Sequence, residues 1–465
     1  MATQPAPPRS GPGELRATQA AARVQAGEVS PAELLADARR RAGAWEPWLG
    51  AVVAEVDRPG TTDGPLAGVV AGIKDIIAVE GTPRGCGAPG AVDTSPQRVD
   101  AWTVGGLAAA GASLYGTFEL HPLAFGVITP QTRNPRAHDR IAGGSSGGVA
   151  AALAAGFLHV ALGTDTGGSV RGPASCCGVT ALKTTRGLVP LSGVQDLAWS
   201  LDTVGPLAAT VDDLALVLPS LVGHDASDPA SIADPPLAQV PDRPLRVGVP
   251  RELDSIPIDP EVRAVWRSSV DALADAECEV TDVSIAHLPD APPANGLVLC
   301  AEAAAVHREL LEHHPDRVPE LCDERLRWGA GLLAADVADA RRLGMRLAAD
   351  LRSAFGHVDV LCTPTIACRV PDRGQQEVRL GDETVPTTLA MTRLTNPWNL
   401  TGVPAGTVPG GVDGGGGPVG VQLVGPWWGE RTVLAAMRAV ETALGGPWTS
   451  AEPPLAERAS ESVQP

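Results

Sequence analysis

Residues 143–171 read GGSSGGVAAALAAGFLHVALGTDTGGSVR, and this stretch decides the fold. Two glycine-rich loops that contain serine flank an alanine-rich segment and the apolar run 158–162. The alanines predict a short, closely packed helix, and the apolar run predicts a strand buried on both faces. A helix of about nine residues covers roughly 13 Å, and a strand of five or six covers about 17 to 20 Å. The two loops should therefore meet at one edge of the sheet, with Ser145 and Ser169 within reach of each other.

Each loop offers groups with a chemical use. The run Thr166, Gly167, Gly168, Ser169 presents successive backbone N–H groups with little side-chain obstruction, and such donors can form an oxyanion hole around a serine. Residues 143–148, GGSSGG, can adopt backbone conformations that are closed to residues with a Cβ. The loops lack a base, which has to come from elsewhere in the chain.

Lysine is rare in this sequence, and its position is informative. Of 36 lysine and arginine residues, only Lys74 and Lys183 are lysines. Arginine keeps its proton in proteins, whereas a desolvated lysine can become a neutral base. Lys74 ends an apolar strand upstream of the serine loops, so it is the candidate base, unless it merely caps the strand at the surface. Lys183 is expected to be structural.

A basic role for Lys74 sets a condition on its environment. Its pKa must fall from about 10.4 to near 7 or 8, and burial at the end of a strand can supply this change. Asp75 follows directly, but successive side chains of a strand point to opposite faces, so Asp75 need not pair with Lys74.

Three ordered motifs resemble the amidase signature family of serine hydrolases. They are GIKD at 72–75, GGSSGG at 143–148 and GTDTGGSVR at 163–171, and weaker matches extend the resemblance over roughly residues 14–444. The resemblance implies a Ser–cis-Ser–Lys triad of Ser169, Ser145 and Lys74, with a cis Gly144–Ser145 peptide bond. It also implies an α/β fold with a large twisted mixed β-sheet. Strands that alternate with helices along the chain independently predict an α/β sheet covered by helices on both faces.

The implied reaction is hydrolysis of a linear carboxamide to an acid and ammonia or an amine through an acyl-enzyme. Ser169 is the expected nucleophile, and Ser145 is expected to relay its proton to Lys74. Asp165 and Arg171 flank the oxyanion loop, where we expect an ion pair that braces it. Ser146 is assigned a supporting role, although its place beside Ser145 makes it an alternative candidate for the proton relay.

A rival interpretation uses the same first loop. Residues 144–148 also satisfy GxSxG, the nucleophile elbow of an α/β-hydrolase-type esterase, which would make Ser146 the nucleophile. That enzyme needs a later acid and a histidine, for which His287, His307 and His357 are available. This interpretation leaves the second loop and the rare lysine unexplained. A phosphate-binding loop is also disfavoured, because no GK[ST] follows the glycines.

Two further alternatives come from other functional classes. One is the glutaminase (A-type) subunit of a tRNA-dependent amidotransferase, which works with a partner protein, although its distinctive stretch is not found between residues 297 and 331. The other is a catalytically silent binding protein of the same fold.

The chain also departs from the family pattern at 116–119, GTFE in place of GKTN, and at 181–185, ALKTT in place of GLKPT. The segment around Thr117–Thr132 is therefore unusual, and no substrate is named.

Composition limits the partners. A net charge of −18 argues against a nucleic-acid or anionic-membrane surface, and no apolar run approaches the 18 or so residues of a membrane span. The eight cysteines and nine histidines show no ligand spacing, so no cofactor or metal is expected. We expect a cytoplasmic protein that acts on a small-molecule amide, and we allow for a homodimer.

The predicted organisation is a disordered tail at 1–13, one amidase domain at 14–447 with loop 224–244 as a candidate internal boundary, and a flexible tail at 448–465.

Overall fold

The computed structural model describes residues 15–448. The two predicted tails, 1–13 and 448–465, lie outside the described residues except for residue 448. Within the described range, no helix combines the length and apolar character needed to cross a bilayer.

Thirteen strands occur in the described part of the chain, and most of them join one large sheet. They are Val52–Arg58 (β1), Val70–Lys74 (β2), Ser113–Phe118 (β3), Val160–Thr164 (β4), Thr180–Lys183 (β5), Val204–Ala208 (β6), Arg246–Pro250 (β7), Glu279–Val283 (β8), Val360–Pro364 (β9), Glu377–Leu380 (β10), Glu383–Pro386 (β11), Ala405–Val412 (β12) and Pro418–Val424 (β13). Eleven form the sheet in the order β1-β3-β2-β4-β6-β5-β12-β13-β9-β7-β8, and β10 pairs with β11 separately. Strand β2 is parallel to β3 and β4, and β7 is parallel to β8 and β9, whereas the other neighbours are antiparallel. The sheet is therefore mixed, as predicted.

Helices connect these strands. The α-helices of the described residues are Ala17–Gln25 (α1), Pro31–Leu49 (α2), Trp102–Ala109 (α3), Gly147–Ala154 (α4), Arg171–Cys177 (α5), Val211–Val217 (α6), Pro260–Asp275 (α7), Ala291–Val306 (α8), Arg308–His313 (α9), Glu320–Ala330 (α10), Ala334–Ala354 (α11), Thr387–Thr392 (α12), Asn396–Thr401 (α13) and Glu430–Ala443 (α14). Residues 30–33, SPAE, predict a capping box at the start of α2. It is present, since Glu33 N–H donates to Ser30 Oγ and Ser30 N–H donates to the Glu33 carboxylate.

The central strands are covered on both faces. Along β4, Val160 and Leu162 pack into one hydrophobic core, and Ala161 between them packs into a second core. Side chains of a strand alternate between its two faces, so the two cores lie on opposite sides of the sheet. This arrangement confirms the predicted fold class.

The stretch 143–171 folds as one short helix and one strand, as expected. Helix α4 is buried throughout, and its small side chains allow it to approach the sheet closely. Strand β4 begins two residues later than predicted and continues to Thr164, again with every residue buried. It runs parallel to β2, with Ile73 opposite Leu162. This register brings the carboxyl ends of the two strands together, with Lys74 ending β2 and Thr164 ending β4.

Some predicted boundaries are wrong. The sequence pattern predicts a helix over 30–41, but α2 continues to Leu49. It also predicts one helix over 297–313, where the structure has two, because His307 leaves the helical region at φ −99° and ψ 23° and separates α8 from α9. Loop 224–244 contains no helix or strand, but strands from both sides of it belong to the same sheet.

Candidate active site

Lys74 lies at the centre of the candidate site. Its side chain is fully buried at the end of β2. Nζ lies 2.7 Å from Ser145 Oγ and 2.8 Å from Thr164 Oγ1. A neutral amine has two N–H donors and one lone pair, so it can accept the Ser145 proton while it donates to Thr164.

The electrostatic environment favours that neutral form. Burial lowers the pKa of Lys74 to about 7, and the negative charges of Asp165 and Asp202 offset only part of this effect. Asp75 does not pair with Lys74, because its Oδ2 accepts the N–H of Gly85 at 2.9 Å. A substantial fraction of Lys74 is therefore neutral at physiological pH.

The two serine loops are in direct contact. The Gly144–Ser145 peptide bond is cis. Ser146 N–H donates to the Ser169 carbonyl at 3.2 Å, which joins the first loop to the second. Ser145 is buried beside Lys74, whereas Ser169 is half-buried and faces a cavity.

The expected relay is half formed. The Lys74–Ser145 hydrogen bond is present, but the hydrogen bonds of the described residues include none between the hydroxyls of Ser145 and Ser169. Catalytic hydrogen bonds often tighten only when substrate is bound, and Ser169 is half-buried at the cavity wall where substrate would enter.

Loop 166–169 has three free N–H donors rather than the four predicted for an oxyanion hole. Gly168 N–H donates to Asp165 Oδ1 at 2.8 Å, so this predicted oxyanion-hole donor is already used within the loop. Within residues 15–448, the N–H groups of Thr166, Gly167 and Ser169 have no hydrogen-bond acceptor. Gly168 has φ +124°, and a Cβ there would lie 2.3 Å from Thr395 Oγ1, so only glycine fits this position.

A buried ion pair lies beneath this loop. Arg171 Nη2 is 2.8 Å from Asp165 Oδ1, and both side chains are fully buried. Burial alone would raise the pKa of Asp165, but the adjacent Arg171 lowers it far below its usual range. Arg171 also donates to Gln422 Oε1 at 2.8 Å and to Asn399 Oδ1 at 2.7 Å. The ion pair thus fixes the loop to distant parts of the chain.

Ser146 does not have the surroundings of a nucleophile. It is fully buried, and its Oγ donates to the Thr164 carbonyl at 3.3 Å. In the described chain, no hydrogen bond joins it to a histidine. His287 Nδ1 instead lies 2.8 Å from Asp350 Oδ2. The GxSxG interpretation therefore has no base beside its serine.

A cavity of about 320 Å³ opens in front of Ser169. Its walls are mainly apolar and include Phe125, Val127, Leu197, Leu299, Leu389 and Met391. Arg325 is the one charged side chain among the described residues that line it. Arg325 stacks over the Phe125 ring at 4.1 Å and donates to the Phe125 carbonyl at 2.8 Å. Phe125 and Val127 belong to the atypical segment 117–132, which thus forms part of the cavity wall.

Sequence reasoning missed three residues of the site: Thr164, which contacts Lys74, and Asn399 and Gln422, which bind Arg171. Thr164 stands inside the GTDTGGS motif, and the other two stand in segments that matched the family weakly, so a signal was present for each. Residues 15–448 contain no cluster of three or more His, Cys, Asp or Glu side chains arranged to hold a metal ion.

Known proteins resemble this chain over nearly its whole length. It is 35% identical to the A-type subunit of the glutamyl-tRNA(Gln) amidotransferase of Roseiflexus sp. (strain RS-1), over 90% of this chain and 94% of that protein. It is 33% identical to an amidase of Pseudomonas putida, over 95% of this chain and 98% of that protein. A solved structure concerning a vestigial protein complex and the evolutionary origins of an s-triazine catabolic enzyme superposes with a TM-score of 0.86 at 28% identity, covering 94% of this chain and 100% of that one.

A family model described as Amidase matches residues 48–434, which include Lys74, both serine loops and the Arg171 partners. The chain therefore belongs to the amidase signature family of hydrolases that act on C–N bonds.

Proposed function

We propose that this chain is an amidase that hydrolyses a linear carboxamide through a Ser–cis-Ser–Lys triad and an acyl-enzyme. The contact between Lys74 Nζ and Ser145 Oγ carries the proposal. It joins a buried amine to the hydroxyl of Ser145, whose loop contacts the loop of Ser169. Ser169 in turn lies next to a cavity and three free N–H donors. A surface lysine that caps a strand would have none of these surroundings.

In the proposed mechanism, Ser169 Oγ attacks the amide carbonyl, and its proton passes through Ser145 to neutral Lys74. The N–H groups of Thr166, Gly167 and Ser169 stabilise the tetrahedral oxyanion. As the C–N bond breaks, the proton returns from Lys74 through Ser145 to the leaving amine. Water then attacks the acyl-enzyme along the same proton route and releases the acid and Ser169.

The cavity favours a substrate whose acyl part is largely apolar. Alkyl or aryl groups would bury apolar surface against Phe125, Leu299 and Met391, which stabilises binding by about 25 cal/mol per Å². The described lining residues include no aspartate or glutamate, so an amino group on the substrate would have no counter-charge there.

A glutaminase subunit of a tRNA-dependent amidotransferase is the second candidate, because several relatives are named as subunits of such an enzyme. Glutamine has both a carboxylate and an ammonium group. Arg325 could pair with the carboxylate, but the described cavity lining offers no acidic partner for the ammonium. This asymmetry supports the amidase over the glutaminase. A homodimer and a cytoplasmic location remain predictions.

The test uses the purified chain alone. We expect it to release ammonia from simple alkyl and aryl amides faster than from glutamine. A fluorophosphonate probe should label wild-type protein at Ser169 and leave a folded Ser169→Ala variant unlabelled and inactive. Unchanged activity in Ser169→Ala would refute the triad. Activity on glutamine but on no other amide would favour the role in an amidotransferase. Activity that appears only after a partner protein is added would favour it too.

A further inference from the structure

One buried carboxamide near the oxyanion loop has no hydrogen-bond partner. Asn295 lies on α8 and is fully buried. Within the described chain, neither its Nδ2 nor its Oδ1 forms a hydrogen bond. Buried polar groups are nearly always hydrogen-bonded, so a side chain with both ends free indicates a function for them.

A second asparagine lies beside it, against the same glycine. A Cβ placed on Gly167 would lie 2.8 Å from Asn396 Oδ1 and 3.6 Å from Asn295 Nδ2. Asn396 begins α13 and lines the cavity, whereas Asn295 lies behind the cavity wall. The hydrogen bond of the Asn396 amide is a long one, from Nδ2 to the Pro292 carbonyl at 3.5 Å. Two carboxamides with unused bonding capacity therefore meet at the oxyanion loop.

Three other polar side chains of the wall already have hydrogen-bond partners. Thr392 Oγ1 donates to the Thr388 carbonyl at 2.8 Å, and Thr166 Oγ1 donates to Asp202. Arg325 is held by Phe125, as described above. Asn396 thus brings a weakly bonded carboxamide to the cavity, and Asn295 behind the wall has no hydrogen bond among the described residues.

We propose that Asn396 and Asn295 form a polar subsite that binds a neutral hydrogen-bonding group of the substrate, such as a second carboxamide or a hydroxyl. This inference rests on the proposed amidase function and names its substrate class more narrowly. Asn396 makes the direct contact, and Asn295 is a positioning residue that acts through Asn396. A carboxamide is uncharged and both donates and accepts, so it matches a neutral group with the same capacity. A charged group would need a counter-ion that neither asparagine supplies.

The experiment compares matched substrates in matched variants. The substrates are linear diamides of three to six carbons, each paired with a monoamide whose terminal isopropyl group replaces the second carboxamide, as 4-methylpentanamide does for butanediamide. The variants are Asn396→Leu and Asn295→Leu, which keep nearly the same side-chain shape. Labelling of Ser169 by the fluorophosphonate probe confirms that each variant is folded and competent.

For at least one pair, we expect wild-type kcat/KM to favour the diamide by tenfold or more. Asn396→Leu should abolish this preference through KM, and Asn295→Leu should reduce it at least threefold. Hydrolysis of the monoamide should change less than hydrolysis of the diamide in both variants, so that the ratio of the two kcat/KM values falls. A merely structural role would lower both substrates together and leave the ratio unchanged.

Binding provides a second arm that does not depend on turnover. In Ser169→Ala, calorimetry should show tighter binding of the diamide than of its monoamide partner, and Asn396→Leu added to that variant should remove the difference. The subsite is overturned if, for every pair, wild-type protein hydrolyses the diamide and the monoamide with equal kcat/KM and Ser169→Ala binds the two with equal affinity. Absence of hydrolysis with preferential diamide binding intact would instead count against the proposed catalytic function and leave the subsite standing.

Discussion

Lys74 and Lys183, the two lysines of the chain, share burial but differ in what surrounds their amines. Both are fully buried at the ends of strands, and burial lowers the pKa of each to about 7. Lys74 Nζ contacts two hydroxyls, and one of them belongs to Ser145, whose loop is hydrogen-bonded to Ser169. Lys183 Nζ donates to the Thr184 carbonyl at 2.9 Å, and the charge of Arg171 lowers its pKa further. A shifted pKa therefore does not identify a catalytic base without a partner that can exchange a proton.

The largest effect should come from changing the base itself. Lys74→Arg keeps a cation but removes the ability to accept a proton, so kcat/KM should fall about thousandfold, within the range typical of general-base catalysis. The measurement is steady-state hydrolysis of one accepted amide, with circular dichroism to confirm folding. Wild-type turnover in this variant would show that Lys74 is not the base.

The next effect concerns Asp165, whose charge acts on both lysines. Asp165→Asn leaves Arg171 buried without its counter-ion, which should lower the free energy of unfolding by about 3–5 kcal/mol. Urea unfolding followed by circular dichroism gives this value. A loss below about 1 kcal/mol would mean that Asn399 and Gln422 alone hold Arg171.

The pH dependence of activity should report Lys74. Since only the neutral amine accepts a proton, kcat/KM should rise through pH 7 and level off above it, with about a tenfold decrease for each unit below. The same inflection should persist in Lys183→Arg, which retains Lys74. If the inflection near pH 7 disappears in Lys183→Arg, the titrating group has been assigned to the wrong lysine.

The smallest effect on chemistry is expected at Lys183. Lys183→Arg should leave kcat within about threefold of wild type, because the hydrogen bond of the Lys183 amine goes to the Thr184 carbonyl, which belongs to neither the cavity lining nor the proposed triad. Its larger, permanently charged side chain must fit a closed site near Arg171, so the free energy of unfolding should decrease by about 1–3 kcal/mol. The unfolding midpoint in urea checks the stability, and the initial rate checks the chemistry.

The sequence predicted those parts of the site whose signal is local. Helix α4, strand β4 and the contact between the two serine loops all follow from one stretch of 29 residues. The rarity of lysine indicated Lys74 because arginine cannot perform its chemistry. The burial of Lys183 was not foreseen, since a lysine inside ALKTT has the same local pattern whether it is exposed or enclosed.

Other features depend on contacts between distant residues. Arg171 binds Asn399 and Gln422, which are 228 and 251 positions away, and no periodicity or spacing connects them. The use of Gly168 N–H by Asp165 depends on loop conformation, which a run of glycines leaves undetermined. Asn295 lies in an alanine-rich helix and is noticeable only because the folded chain places it against Gly167.

The order of strands also has a consequence for synthesis on the ribosome. Hairpin β12–β13 lies between β5 and β9, so it joins the amino-terminal part of the sheet to the strands that follow loop 224–244. Residues 405–424 leave the ribosome after the other strands of both parts, so this hairpin cannot join the two parts before then. Gln422 arrives with the same hairpin, and Asn399 arrives shortly before it. The nascent chain therefore lacks the strands that pair with β5 and β9, and the complete support of loop 165–171, until residues 405–424 have been made.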